Sequence, residues 1–120
     1  MLPKDHPLAG SPSLTPADLN GENLLLFPEI GFWGELVRRK MPDSRFLLQS
    51  ERCTFPELID NSMLPCFAAD LSLKYCGNAL QDRAAVPITD PEVNITYCLA
   101  CRAQDRRTCI PLFRQLERKR

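Results

Sequence analysis

The apolar residues of this chain occur in short runs, and the spacing within each run predicts a different element. Leu24-Leu25-Leu26-Phe27 is continuously apolar, as is typical of a strand buried on both faces of a sheet, and Pro28 ends it. Between Gly31 and Met41 the apolar side chains recur every three to five residues, which predicts an amphipathic helix that ends before Pro42. Arg45-Phe46-Leu47-Leu48-Gln49 then predicts a second short strand.

Two capping signals place further helices around these strands. Thr15 followed by Pro16 is typical of an N-cap and a first helical residue, so a short helical turn precedes the first strand. Thr54 and Glu57 have the spacing of a capping box, which predicts a helix over residues 55–61. Residues 64–69 are apolar enough for a third inner strand. Strands that alternate with helices over such short connections predict a mostly parallel α/β sheet with helices on its faces.

The second half of the chain gives weaker patterns. Residues 70–75 predict another helical turn, and residues 83–88 predict a strand at a sheet edge, because Pro87 has no backbone donor. Residues 95–102 form the longest strand candidate. A final helix is predicted over residues 110–117, after Thr108, with an apolar stripe made of Ile110, Phe113 and Leu116.

Length and charge restrict the class of protein. With 120 residues the chain fits one domain, and 15 basic against 15 acidic residues leave no net charge to attract nucleic acid or an anionic membrane. No apolar run approaches the roughly 20 residues that span a bilayer, and no export signal opens the chain. We therefore expect a cytoplasmic protein without membrane contact and with reduced thiols.

Neither the cysteines nor other motifs predict catalysis, a metal or a cofactor. Cys98 and Cys101 form a C-x-x-C, but on a strand residues three apart face opposite sides, and the sole histidine, His6, is remote in sequence. No nucleophile elbow, phosphate-binding loop or dinucleotide fingerprint occurs, so no enzyme is expected. The cysteines are expected to be mostly small buried hydrophobes: Cys53, Cys66, Cys76, Cys98, Cys101 and Cys109.

The two junctions between a predicted strand and the following helix carry the main candidate site. They cover residues 28–32 and 50–54. Ligands of parallel α/β sheets bind beyond the carboxyl ends of the strands, where helical N–H groups favour carboxylates and phosphates. The same residues are equally well explained as ordinary loop and helix-capping residues without a binding role.

Several segments, taken in order, resemble the effector-binding domain of LysR-type transcriptional regulators. The first contains His6-Pro7-Leu8-Ala9, and the next runs from Ser13 through Leu24-Leu25-Leu26-Phe27-Pro28. The later segments are residues 58–68, 86–92, 95–102 and 105–107. Ser62 and Leu64 stand where the family usually has glycine, and no cysteine pair flanks the helix after the first strand, as it does in peroxide-sensing members. The chain is similar to the C-terminal part of such a domain: the second lobe, the return strand and the last helix.

This resemblance implies a periplasmic-binding-protein-like (type 2) lobe in one domain. Residues 1–9 and 95–102 would form antiparallel hinge strands, residues 10–94 the second lobe, and residues 103–120 the C-terminal helix. The lobe would sense a small-molecule effector, for which an anion is one option. The implied cleft wall consists of Pro28, Glu29, Ile30, Gly31, Phe32, Ser50, Glu51, Cys53 and Thr54.

The resemblance also bears on the expected partners. DNA would be contacted only through a winged helix-turn-helix that this chain does not contain. Self-association is expected, through the stripe of Ile110, Phe113 and Leu116. Two alternatives stay open: a stand-alone small-ligand-binding module, and a cysteine-based redox or metal protein.

Overall fold

A computed structural model describes residues 1–51, 54–73 and 81–117, without the side chains of residues 54–56 and 71. The described part is a mixed α/β arrangement of small sheets and helices. Its elements are β1 (Leu2–Pro3), α1 (Pro16–Leu19), β2 (Asn23–Leu26), α2 (Phe32–Lys40), β3 (Arg45–Leu48), α3 (Thr54–Asn61), α4 (Asp70–Leu73), β4 (Arg83–Ala84), a 3₁₀ turn (Ala103–Asp105) and α5 (Arg106–Glu117).

The parallel pairing predicted for the first two strands is confirmed. β2 and β3 run parallel, with Leu24 beside Phe46 and Leu26 beside Leu48. α2 connects them, as a crossover between parallel strands requires. α1 begins at the predicted cap, where the Thr15 amide and hydroxyl both donate to a carboxylate oxygen of Asp18, at 2.7 and 2.8 Å.

The core lies on both faces of β2, because successive side chains of a strand point in opposite directions. Leu24 and Leu26 pack with Val37 and Met41 of the α2 region. Leu25 is fully buried on the other face, with Ile59 of α3 and Cys66. β2 therefore matches the prediction of a strand buried on both sides, whereas most of β3 is exposed.

The strand predicted over residues 64–69 is reduced to one parallel bridge between Leu25 and Cys66. The Leu25 amide donates to the Pro65 carbonyl at 2.9 Å, but Pro65 has no N–H with which to extend the ladder. On its other side Cys66 exchanges backbone hydrogen bonds with Met1, at 3.0 and 2.6 Å. Proline thus shortens this strand.

The strand predicted over residues 83–88 is also shorter than expected. β4 pairs antiparallel with β1, with Leu2 opposite Ala84 and Pro3 opposite Arg83. Further along, Ile88 forms an isolated parallel bridge with Leu14. Proline again limits the ladder, since Pro3 and Pro87 can accept but not donate backbone hydrogen bonds.

The described residues do not show the antiparallel pairing that the predicted hinge places between residues 1–9 and 95–102. β1 is paired with β4 instead, and after Pro3 the chain turns, with the His6 amide donating to the Pro3 carbonyl at 3.0 Å. Residues 95–102 are exposed and form no strand with any other described segment. The apolar side chains of Ile95, Tyr97 and Leu99 lie at alternate positions, but each stays 44–59% exposed.

The C-terminal helix is longer than predicted. α5 begins at Arg106, so Thr108 lies inside the helix and not at its cap. The 3₁₀ turn of residues 103–105 leads directly into α5 and replaces the expected side-chain cap. α4 ends at Leu73, and the rest of the turn predicted over residues 70–75 lies outside the described residues. None of the described helices has the length and apolar character needed to cross a membrane.

Candidate functional site

The carboxyl ends of β2 and β3 lie side by side at one edge of the sheet. Leu26 is the register partner of Leu48, and the Gln49 amide donates to the Leu26 carbonyl at 3.2 Å. The segments that follow the two strands therefore leave the sheet next to each other. This geometry brings the predicted junctions to a common edge.

The junction after β2 combines exposed and anchored residues. Pro28 and Glu29 are exposed, whereas the half-buried Ile30 packs against the core. Gly31 adopts a positive φ of 63° at the N-cap of α2, a backbone conformation in which side chains are strained. Phe32 opens the helix with 47% of its surface exposed. The first predicted wall segment is thus a surface that solutes can reach.

The junction after β3 is described only in part. Ser50 and Glu51 are exposed, and the Glu51 amide donates to Oε1 of Gln49 at 3.0 Å. Thr54 was predicted to precede the helix as its cap, but it is the first residue of α3. Its side chain lies outside the described part. Cys53 also lies outside the described residues.

An aromatic cluster adjoins the first junction. The rings of Phe32 and Trp33 have centroids 4.8 Å apart, and Tyr97 meets Trp33 edge-on at 6.1 Å. Nε1 of Trp33 donates to the Val93 carbonyl at 2.8 Å. The apolar spacing of residues 31–41 predicted only that Trp33 lies on the apolar side of a helix, and no pattern pointed to Tyr97. No local signal could have found this pair, because 64 positions separate them.

Residues 90–97, here called the return segment, are also held at the other end of α2, by a group of ion pairs. Nζ of Lys40 lies 2.7 Å from Oδ2 of Asp90 and 3.1 Å from Oε1 of Glu92, and Arg39 also pairs with Glu92. The hydrogen bond from Lys40 lowers the pKa of Asp90 and of Glu92. The hydrogen bonds to these carboxylates raise the pKa of Lys40. All three groups therefore stay charged around neutral pH.

The prediction of mostly buried cysteines holds for Cys66 but is wrong for Cys98 and Cys101, which are exposed because their segment has no covering layer. Cys53 and Cys76 lie outside the described residues. Desolvation, followed by a hydrogen bond with the thiol of Cys109, raises the pKa of Cys101, which reduces its thiolate fraction. No cluster of three metal-ligating side chains is found among the described residues.

Two cavities in the described part of the chain lie away from this edge. An apolar cavity of about 20 Å³ is enclosed by core residues that include Leu24 and Cys66. A wider depression of about 480 Å³ lies beside the β1–β4 pair and the end of α3. Neither cavity is lined by any of the described residues of the predicted wall, which are Pro28, Glu29, Ile30, Gly31, Phe32, Ser50 and Glu51. The edge is thus an open surface with carboxylates, backbone amides and aromatic faces.

Comparison of the chain with protein-family models, curated proteins and solved structures finds no match in any of the three.

Proposed function

We propose that this chain is the small-molecule effector-sensing lobe of a LysR-type transcriptional regulator, with the effector at the carboxyl edge of β2 and β3. The observation that carries the proposal is the parallel, in-register end of the two strands, each followed by a helix. Ligands of open α/β sheets bind at such edges. An open surface is what one wall of a two-lobed cleft presents by itself.

The contacts of α2 suggest how binding would be sensed. A ligand on Phe32 would touch the helix whose next residue, Trp33, holds the return segment through Val93 and Tyr97. A ligand that binds one arrangement of this segment more tightly than another would shift the population between them. Ligand binding at the wall is therefore expected to change the arrangement of residues 93–97.

The proposed partners follow from the same assignment. The regulator would contact DNA through a separate winged helix-turn-helix and would work in the cytoplasm. Self-association through α5 remains part of the proposal, because Leu116 is 41% exposed, Ile110 and Phe113 are only half-buried, and no described residue of the helix is buried. Exposed apolar helix faces of this kind are typical of protein–protein contact surfaces.

The chain contains one tryptophan, and its position makes it a reporter for the test. Small carboxylates and phosphates are titrated against Trp33 fluorescence, with thermal shift as a second readout. A saturable signal is expected for an effector. Phe32→Ala should weaken its binding by about tenfold, the equivalent of one aromatic contact. Leu116→Ala on α5 is the matched control of similar exposure and should leave affinity unchanged. Equal losses in both variants would contradict a site at this edge.

A stand-alone binding module would share this wall and would differ only in having no DNA-binding partner domain.

A further inference from the structure

Two cysteine thiols of the C-terminal part of the chain lie next to each other. The thiol of Cys101 is within hydrogen-bonding reach of the thiol of Cys109. Both cysteines are free, and Cys101 is exposed while Cys109 is half-buried. The other two described cysteines are engaged elsewhere: Cys66 is buried in the core, and Sγ of Cys98 lies 3.9 Å from the Thr96 carbonyl oxygen. The described chain thus contains one pair of adjacent thiols that a solute can reach.

A tight turn between these two cysteines brings them together. The Asp105 amide donates to the Arg102 carbonyl at 3.0 Å, and α5 follows directly. Cys101 precedes this turn, and Cys109 is the fourth residue of α5. Residues 95–102 form no strand with any other described segment. The thiol contact therefore joins an otherwise unpaired segment to the beginning of the last helix.

We propose that Cys101 and Cys109 form a reversible intramolecular disulfide, with a low-molecular-weight disulfide as the oxidant. One thiol loses its proton to water, and its thiolate attacks a sulfur atom of the oxidant. The S–S bond of the oxidant breaks, and the first small thiolate leaves and takes up a proton. The second cysteine, also as a thiolate, then attacks the mixed disulfide and releases the second small thiol. Two cysteine thiols are oxidised, and one small disulfide is reduced to two thiols.

The local geometry favours closure of this bond. A disulfide needs its sulfur atoms about 2.0 Å apart, so two thiols in hydrogen-bonding reach have a short distance to close. Cys101 lies outside the helices and strands on an exposed segment, where its side chain is free to rotate. Cys109 is held on the helix and presents its sulfur from a defined position. One mobile and one fixed thiol can meet without rearrangement of the core.

The pair is suited to rest in the reduced form. Desolvation and the Cys109 thiol raise the pKa of Cys101 more than the charge of Arg106 lowers it, so this thiol has little thiolate near neutral pH. Reducing compartments keep such thiols reduced. The disulfide should form only when the fraction of small disulfides rises, and it would then tie residues 95–102 to α5. This inference goes beyond the proposed effector sensing and does not depend on it.

Peptide mapping in glutathione buffers tests the disulfide. The wild-type chain is equilibrated at a series of ratios of oxidised to reduced glutathione, its remaining thiols are alkylated, and its tryptic peptides are analysed without reduction. Trypsin cleaves after Arg102 and Arg107, between the two cysteines, so the disulfide links the peptide of residues 84–102 to the peptide of residues 108–114. We expect this linked pair to increase with the ratio and to disappear in excess reduced glutathione.

Serine variants identify the partner of Cys109, because the peptide of residues 84–102 also contains Cys98. Cys101→Ser should lower the yield of the linked pair by about tenfold or more, since it removes the thiol that lies beside Cys109. Cys98→Ser is the matched control on the same exposed segment and should leave the yield unchanged. Circular dichroism checks that both variants are folded. A linked pair of undiminished yield in Cys101→Ser, or a wild-type chain that carries only glutathione adducts or no disulfide, would overturn the proposal.

Discussion

Arg83 is the charged side chain that the described core buries, with 6% of its surface exposed. Its Nε and Nη2 donate to the Ile59 carbonyl at 3.0 and 2.6 Å. It also donates to the carbonyls of Ser62 and Leu64, at 2.6 and 2.7 Å. Ile59 lies in the last turn of α3, where carbonyls lack helical partners and the helix dipole favours a cation. Arg83 thus joins β4 to the end of α3.

Replacing Arg83 with methionine should destabilise the fold by about 3 kcal/mol, because three partly or fully buried carbonyls lose their donor while the apolar stem is kept. Urea unfolding measures the change. Arg38→Met, at an exposed position of α2, is the control and should stay within about 0.5 kcal/mol of wild type. An Arg83→Met protein as stable as the control would show that these hydrogen bonds do not support the fold.

The ion pair of Lys40 with Asp90 predicts a pH dependence. The pKa of Asp90 is lowered from its ordinary value of 3.8, so the folded state favours the ionised carboxylate. This contribution is present above the unfolded pKa and is lost as pH falls through the folded pKa. Asp90→Asn should therefore lower Tm near neutral pH, and the difference from wild type should shrink upon acidification.

Thermal unfolding across acidic pH measures that difference. The pKa of Asp18 is also lowered, by its hydrogen bonds from Thr15, but this carboxylate is common to both proteins and cancels in the comparison. A difference in Tm between Asp90→Asn and wild type that stays constant with pH would contradict the role given to the ion pair.

At the scale of elements, α2 organises the site through its two ends. Its first turn holds residues 93–97 through Trp33, and its last turn holds residues 90–92 through Arg39 and Lys40. The return segment is thereby fixed along one helix without joining a sheet. Its position depends on side-chain contacts more than on backbone pairing.

Trp33→Phe tests this attachment. The variant keeps an aromatic ring but loses the hydrogen bond to Val93, so we expect a loss of about 1 kcal/mol in stability. Amide hydrogen exchange of residues 93–97 should become faster. Phe32→Leu, which removes a neighbouring ring that makes no such bond, is the comparison variant. Unchanged exchange in Trp33→Phe would show that other contacts hold the segment.

The elements predicted from the sequence were those whose signals are local. Thr15 and Pro16 fixed the start of α1, and the spacing of apolar residues fixed α2. The strand expected over residues 95–102 is not observed, because a strand needs a hydrogen-bonded partner strand, and a short-range sequence pattern does not show whether one is present. Arg83 was missed for a similar reason, since its partners lie 19 to 24 positions away. The candidate wall was foreseeable as two junctions, but its aromatic cluster was not.

At the scale of the molecule, the described chain is more extended than its length requires. The radius of gyration is 16.8 Å, whereas a compact chain of this size has about 13–14 Å. No described residue from 94 to 117 is buried, so this C-terminal part adds length without adding to the core. The stable body is therefore built mainly from residues before 94.

Removing residues 103–120 should leave cooperative unfolding intact, with Tm lowered by no more than about 4 °C, because α5 contributes no buried residue. Differential scanning calorimetry of the shortened chain measures the change. Loss of the cooperative transition would show that α5 belongs to the folding core.

The most direct test of the account is ligand mapping by ¹H–¹⁵N NMR, with the chain titrated against small organic carboxylates and phosphates. If the carboxyl edge of β2 and β3 binds the effector, the amide shifts will concentrate at residues 29–34 and 50–51 and will extend to residues 93–97. Shifts confined to residues 59–60, 62–63 and 81–83, which line the depression beside the β1–β4 pair, would contradict the proposed site.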